Sequence, residues 1–241
     1  MTRLVRTALV GSYCQPDWLV DRAGLRARLP ARVPKHDLWR VPPEHLCEAQ
    51  DDAVLSVLAD QERAGLDIVT DGEVRRESYS APFANALDGI DPDRPAEKVG
   101  RAGKPNAVPR VVGPLGRRRP VHVEDVRFLR AHTGRTVKIT LPGPFTLSQL
   151  AVDEHYGAPE ALAEAYADCL REEIRDLFAA GADIVQLDEP YLQARVVDAR
   201  RYGVQVVNRA FERAPGTTAL HVCFGYAAMV ADKSADGYSC L

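Results

Sequence analysis

No stretch of the 241-residue chain approaches the run of about 20 apolar residues that a membrane-spanning helix needs. This predicts no membrane contact. The apolar part of "MTRLVRTALVGSY" is too short for the core of a secretory leader, so none is expected. Charge of one sign is also lacking: 31 Lys and Arg stand against 34 Asp and Glu, a net charge of -3. That balance argues against nucleic acid as a partner. The most basic run, "GRRRP" at 116–120, is short and lies among Pro and Gly, and reads as a solvated loop rather than an anion site. The five cysteines (Cys14, Cys47, Cys169, Cys223, Cys240) are odd in number and scattered. They suit a reduced, cytoplasmic protein rather than a disulfide framework. No G-x-G-x-x-G follows the first apolar segment, "RTALVGS", which weakens a dinucleotide-binding sheet.

What the chain does have is a unit used twice. "AGLDIVTDGE" at 64–73 and "AGADIVQLDE" at 180–189 share six identities. A helical pattern precedes each: Ala53, Val54, Val57 and Leu58 before the first, and Leu162, Tyr166, Leu170, Ile174, Leu177 and Phe178 before the second. The Gly suits a helix C-terminal cap, a β-branched run follows as a strand, and acids stand at its end. Further strands are predicted in "RTALVGS", in "RVVGPL" from Arg110, in "RTVKITLPGP" and in "TALHVC". Six strands with helices between most of them predict a parallel α/β architecture. The Pro/Gly/charge-rich stretch 91–109 reads as a surface excursion or a lid, and the turn-rich 24–45, with four prolines, reads as a decoration on the top of the first unit. No linker separates two domains, so 1–241 reads as one.

Chemically useful residues follow nearly every strand: Ser12, Asp71 and Glu73, Asp188 and Glu189, His221 and Cys223. In a parallel barrel the strand carboxyl ends converge on one face, where active sites are built. His-x-Cys after a strand puts an imidazole and a thiol on one side of the backbone. Both are good zinc ligands.

The motifs "VGSY", "TDGE", "LPGPFTL", "QLDEPYL" and "HVCFGY", in this order at the ends of successive strands, resemble the catalytic barrel of cobalamin-independent methionine synthase and its shorter single-barrel relatives. The resemblance implies a (β/α)8 barrel and zinc-dependent methyl transfer to the thiol of homocysteine, giving methionine. It implies His221 and Cys223 as zinc ligands, Glu73 and Asp188 as acids that hold the substrate ammonium, and Ser12 as a contact of its carboxylate. The family completes its zinc site with a Glu after the seventh strand and a Cys after the eighth. The chain offers only about six βα units, so strands seven and eight are expected to be missing. A partner segment or a second copy would then complete the barrel, or the chain is the amino-terminal part of a longer protein. The two-barrel members bind methylfolate with an extra amino-terminal barrel, for which there is no room here, so a methyl-corrinoid protein stands beside methylfolate as donor.

Each residue also has a plainer role. Glu73 could pair with Arg75 or Arg76. One of Asp188 and Glu189 could cap the helix that Pro190 opens while the other faces the pocket, and the sequence does not decide which. Cys14 could stand in as a ligand. Cys47 and Cys169 fall in helical patterns and read as small buried hydrophobes. His36, His45, His122, His132 and His155 have no ligand spacing and read as surface or loop residues. Two other functions compete: an incomplete barrel that binds substrate or a partner without catalysing, and a metal-free decarboxylase-like member of the same superfamily.

Overall fold

The computed structural model describes residues 5–26, 32–34, 36–100 and 103–223. Cys240 and the end of the last motif, 224–226, lie outside the described residues. In chain order the described elements begin with helices α1 (Arg22–Arg26) and α2 (Pro43–Arg63), strand β1 (Ile68–Val69) and helix α3 (Ala81–Ala84). Strands β2 (Leu87–Ile90), β3 (Ala96–Val99), β4 (Pro105–Val108) and β5 (Arg110–Arg117) follow. Then come α4 (Val123–His132), β6 (Thr136–Pro142), α5 (Pro144–Gln149), β7 (Val152–Asp153), α6 (Pro159–Ala179) and β8 (Ile184–Asp188). Helices α7 (Pro190–Ala194), α8 (Val196–Asp198) and α9 (Val204–Ala210) lead to β9 (Thr217–His221).

Both copies of the repeated unit form the same turn. At the end of α2 the amide of Gly65 bonds the Glu62 carbonyl and that of Leu66 the Gln61 carbonyl. At the end of α6, Gly181 and Ala182 do the same to Phe178 and Leu177. This double closure needs a left-handed residue, and Gly65 (φ 74°) and Gly181 (φ 106°) supply it. The Asp two residues after each Gly then ties its strand to the preceding one. Asp67 accepts from the Thr7 amide at 2.9 Å, and Asp183 from the Val137 amide at 2.8 Å.

The strands that follow these turns pair in one parallel sheet, in the order β1-β6-β8-β9, and Ala8 bridges in parallel to Ile68. Side chains alternate across it. Val137, Ile139, Leu141, Val185 and Leu187 are buried on one face, where α2 packs on β1, α4 on β6 and α6 on β8. The opposite face carries Lys138, Thr140, Gln186 and Asp188. Apolar burial on the helical side, at roughly 1.5–3 kcal/mol for a Leu, Ile or Val side chain, therefore leaves the other face free for polar chemistry.

Two expectations need correction. The "RVVGPL" strand does not join the parallel sheet. β5 lies in a separate three-stranded sheet, antiparallel to β2 and parallel to β7. Apolar content alone cannot tell which sheet a strand enters, because non-local partners decide that. The "RTALVGS" segment makes only the single bridge at Ala8 rather than a strand, while the 91–109 excursion carries a hairpin of its own, β3 against β4. Among the described residues no sheet closes on itself, and β9 is an edge, with Leu220 exposed.

Candidate functional site

The carboxyl ends of the parallel strands bring acids and donors together. After β1 the chain enters a tight turn in which Gly72 (φ 64°) and Glu73 (φ 57°) are both left-handed. For a residue with a side chain this conformation stores strain, of the kind that collects at functional sites. Local bonds hold it: the Thr70 hydroxyl accepts from the Gly72 amide at 3.0 Å, and Asp71 accepts from the Glu73 amide at 3.1 Å. The turn aims the Glu73 carboxylate at Gly11, Ser12 and β6. The Ser12 hydroxyl donates to one oxygen at 2.7 Å, and the Thr140 hydroxyl to the other at 2.9 Å. Gly11 leaves the space, because a Cβ there would stand 2.5 Å from that second oxygen.

Arg75 and Arg76 pair with other acids. Arg75 bonds Asp51 at 2.5 Å and reaches Asp125 at 3.3 Å. Arg76 bonds Asp71 at 3.3 Å in a buried pair. His122, expected at the surface or in a loop, sits in the bend before α4 and is buried against Asp125 at 2.9 Å in the same cluster. Arg117, of the run read as a solvated loop, is also turned inward and bonds the buried Glu173 at 2.7 Å.

The structure decides between Asp188 and Glu189. Strand alternation sends them to opposite faces. Glu189 is fully buried and caps α5 rather than its own helix, accepting the Phe145 amide at 2.9 Å and the Thr146 amide at 2.8 Å. Burial pushes its pKa up to about 8 against these bonds. Asp188 lies on the polar face, where Gln186 donates to it at 2.7 Å. Burial pushes the Asp188 pKa up to about 7; the Gln186 bond opposes this and the Glu73 charge adds to it. The Glu73 charge is thus felt at Asp188.

Lys138 stands behind Asp188. Its ammonium donates to the Leu9 carbonyl at 2.7 Å, the Val10 carbonyl at 2.8 Å and the Gln186 side-chain oxygen at 2.7 Å. Lysine can only donate, so the Gln186 oxygen must face it and the Gln186 amide must face outward. That amide reaches the Val10 carbonyl and Asp188. Burial lowers the Lys138 pKa, and Asp188 and Glu73 oppose the shift. Lys138, Thr140 and Gln186 went unnoticed in the sequence, and Arg76 was read only as a possible partner of Glu73. A signal was there, since polar residues at alternate positions of "VKIT" break an apolar strand with period two.

His221 is the register partner of Asp188, and Cys223 follows two residues later, both partly buried. Cys14, weighed as a stand-in ligand, is exposed, as is Cys47, while Cys169 is buried. Imidazole and thiolate suit zinc in kind. In number they do not complete a site: among the described residues no group of three or more His, Cys, Asp and Glu is placed to hold a metal ion, and zinc sites take at least three protein ligands.

Residues 7–222 match the family described as "Cobalamin-independent synthase, Catalytic domain". A methionine synthase of Saccharolobus solfataricus is 34% identical over 229 residues, 95% of this chain and 65% of that protein. A solved B12-independent methionine synthase from Shewanella, in complex with selenomethionine, aligns with TM-score 0.82 at 36% identity, over 93% of this chain and 63% of that one. A vitamin-B12-independent methionine synthase structure from Listeria monocytogenes aligns with TM-score 0.63 at 22% identity, over 77% of this chain and 58% of that one, and shares the fold. The chain thus spans just under two thirds of the length of the first two.

Proposed function

Because the chain belongs to the catalytic-domain family of cobalamin-independent synthases, we propose that it takes part in methyl transfer to the sulfur of homocysteine, giving methionine. The observation that carries this is the pair of acids Glu73, past the end of β1, and Asp188, at the end of β8, on either side of β6 and each supplied with an oriented neutral donor. An amino-acid ammonium placed between them would gain two charge-assisted partners. Ser12 is exposed beside Glu73, and turning its one hydroxyl proton away from Glu73 would offer a donor to the substrate carboxylate. The selenomethionine held by the Shewanella relative is a close analogue of the product, which supports an amino-acid site in this family.

In the reaction the homocysteine sulfur, without its proton, attacks the methyl carbon in line, and the donor departs with the electrons of the broken bond. Homocysteine's thiol, near the ordinary cysteine value of about 8.5, is mostly protonated at neutral pH. A bound zinc ion would favour the deprotonated sulfur. His221 and Cys223 would contribute two of its ligands, and the others would come from outside the described residues. The acids and Ser12 fix the amino-acid end, which limits how the sulfur can approach. We take the open sheet as part of a (β/α)8 barrel of the family's kind, and methylfolate or a methyl-corrinoid protein as the donor.

The test is zinc content, together with methionine formation from homocysteine with each donor. Zinc should also protect Cys223 from alkylation, and Cys223→Ser should lower metal content while Glu73→Gln leaves it unchanged. Zinc-loaded protein inactive with both donors, or Cys223 alkylated equally with and without zinc, would overturn the assignment.

A further inference from the structure

We propose that Arg76 is a positioning residue, which fixes the amino-acid-holding carboxylate of Glu73 through Thr140 on one side and Asp71 on the other. The proposal rests on the methyl-transfer function above, since that function makes Glu73 a substrate contact.

Arg76 is 4% exposed and sits beneath the Glu73 turn. One terminal nitrogen donates to the Thr140 carbonyl at 2.9 Å and to the Thr140 hydroxyl oxygen at 3.3 Å. A guanidinium has no acceptor, so the Thr140 oxygen must receive this bond on a lone pair. The one proton of that hydroxyl is then left for Glu73, whose oxygen lies 2.9 Å away. Without the cation holding its oxygen, the Thr140 hydroxyl could turn its proton away from Glu73.

The second arm runs to the backbone. The other terminal nitrogen of Arg76 bonds Asp71 at 3.3 Å. The remaining oxygen of Asp71 accepts the Glu73 amide at 3.1 Å. That amide belongs to the residue held left-handed at φ 57°. A single buried cation thus orients both the side chain and the strained main chain of Glu73. The planar fork of arginine reaches both arms at once, which the single nitrogen of lysine cannot do.

Thr140→Val keeps the shape and removes the hydroxyl, and Thr140→Ser restores it. Arg76→Lys keeps the charge and removes the fork. The probes are L-methionine and its des-amino analogue 4-(methylthio)butanoate, titrated by calorimetry, with crystal structures of the free variants as a second readout. Thr140→Val and Arg76→Lys should each weaken L-methionine about tenfold or more, the loss expected for one hydrogen bond to a charged group. Thr140→Ser should recover most of that loss. Affinity for the des-amino analogue should stay the same in all of them, because it has no ammonium for Glu73 to hold. In the free variants the Glu73 carboxylate should leave its place beside Gly11. Equal losses for both probes would show a general structural role and overturn the proposal. So would a Glu73 carboxylate that stays in place in both Thr140→Val and Arg76→Lys. Wild-type protein that binds neither probe would instead sink the methyl-transfer function, and the positioning role would then stand or fall on the crystal structures.

Discussion

Glu189 and Thr146 are locked together across two strands: one carboxylate oxygen takes both the Thr146 amide, at 2.8 Å, and the Thr146 hydroxyl, at 2.6 Å. The other oxygen takes the Phe145 amide. Gly143 makes the contact possible, since a Cβ there would stand 2.1 Å from the carboxylate. An acid at the end of β8 thereby closes the start of α5, the helix that follows β6, and joins two successive units of the fold.

The first prediction concerns this lock and its pH dependence. Glu189→Gln keeps the shape but turns an amide toward a backbone donor, which should destabilise the protein by about 1–3 kcal/mol. The folded pKa, at about 8, lies above the unfolded value, so folding takes up a proton between the two. The stability that the neutral acid contributes is therefore full below the ordinary carboxylate range and lost as pH rises toward about 8. Urea denaturation of wild type and Glu189→Gln from pH 5 to 9 should show a gap that narrows as pH rises. A constant gap would show that Glu189 is ionised throughout.

The second prediction uses Gly11. Its added methyl would stand 2.5 Å from the Glu73 oxygen and 3.0 Å from the Thr140 methyl. Gly11→Ala should push the carboxylate aside and weaken L-methionine binding at least about tenfold, while destabilising the fold by about 1–3 kcal/mol. Gly134→Ala is the control, because nothing lies within 4 Å of its added atom. Unchanged L-methionine binding in Gly11→Ala would mean that Glu73 does not hold the ligand.

The third prediction is thiol reactivity. Burial pushes the Cys169 thiol up to about 12, whereas Cys14 and Cys47 are exposed. Thiolate is the reactive form. Peptide mapping after alkylation of the native protein at pH 8 should find Cys14 and Cys47 labelled and Cys169 intact until denaturant is added. Early labelling of Cys169 would show that the core around α6 opens readily.

The sequence by itself determined the local units. The periodic apolar positions of α2 and α6, the left-handed glycines and the β-branched runs all act within a few residues, so two helix–turn–strand copies were readable, with acids at their ends. Glu73, Asp188, His221 and Cys223 were legible as strand-end residues for the same reason, whereas the segment read as a strand before Ser12 makes only the Ala8 bridge. Only the tertiary structure decided what those acids touch. Glu73 and Glu189 hold the same place in the repeat, yet one meets the hydroxyls of Ser12 and Thr140 and the other meets the start of α5. The Arg110–Arg117 strand entered a different sheet, and His122 went inside. Strand alternation fixes which face a side chain takes, but its partner comes from a distant segment, 67 residues away for Thr140 and Glu73 and 176 for Gln186 and Val10. Packing alone makes that choice, because a buried polar group must find its bond wherever the fold supplies one.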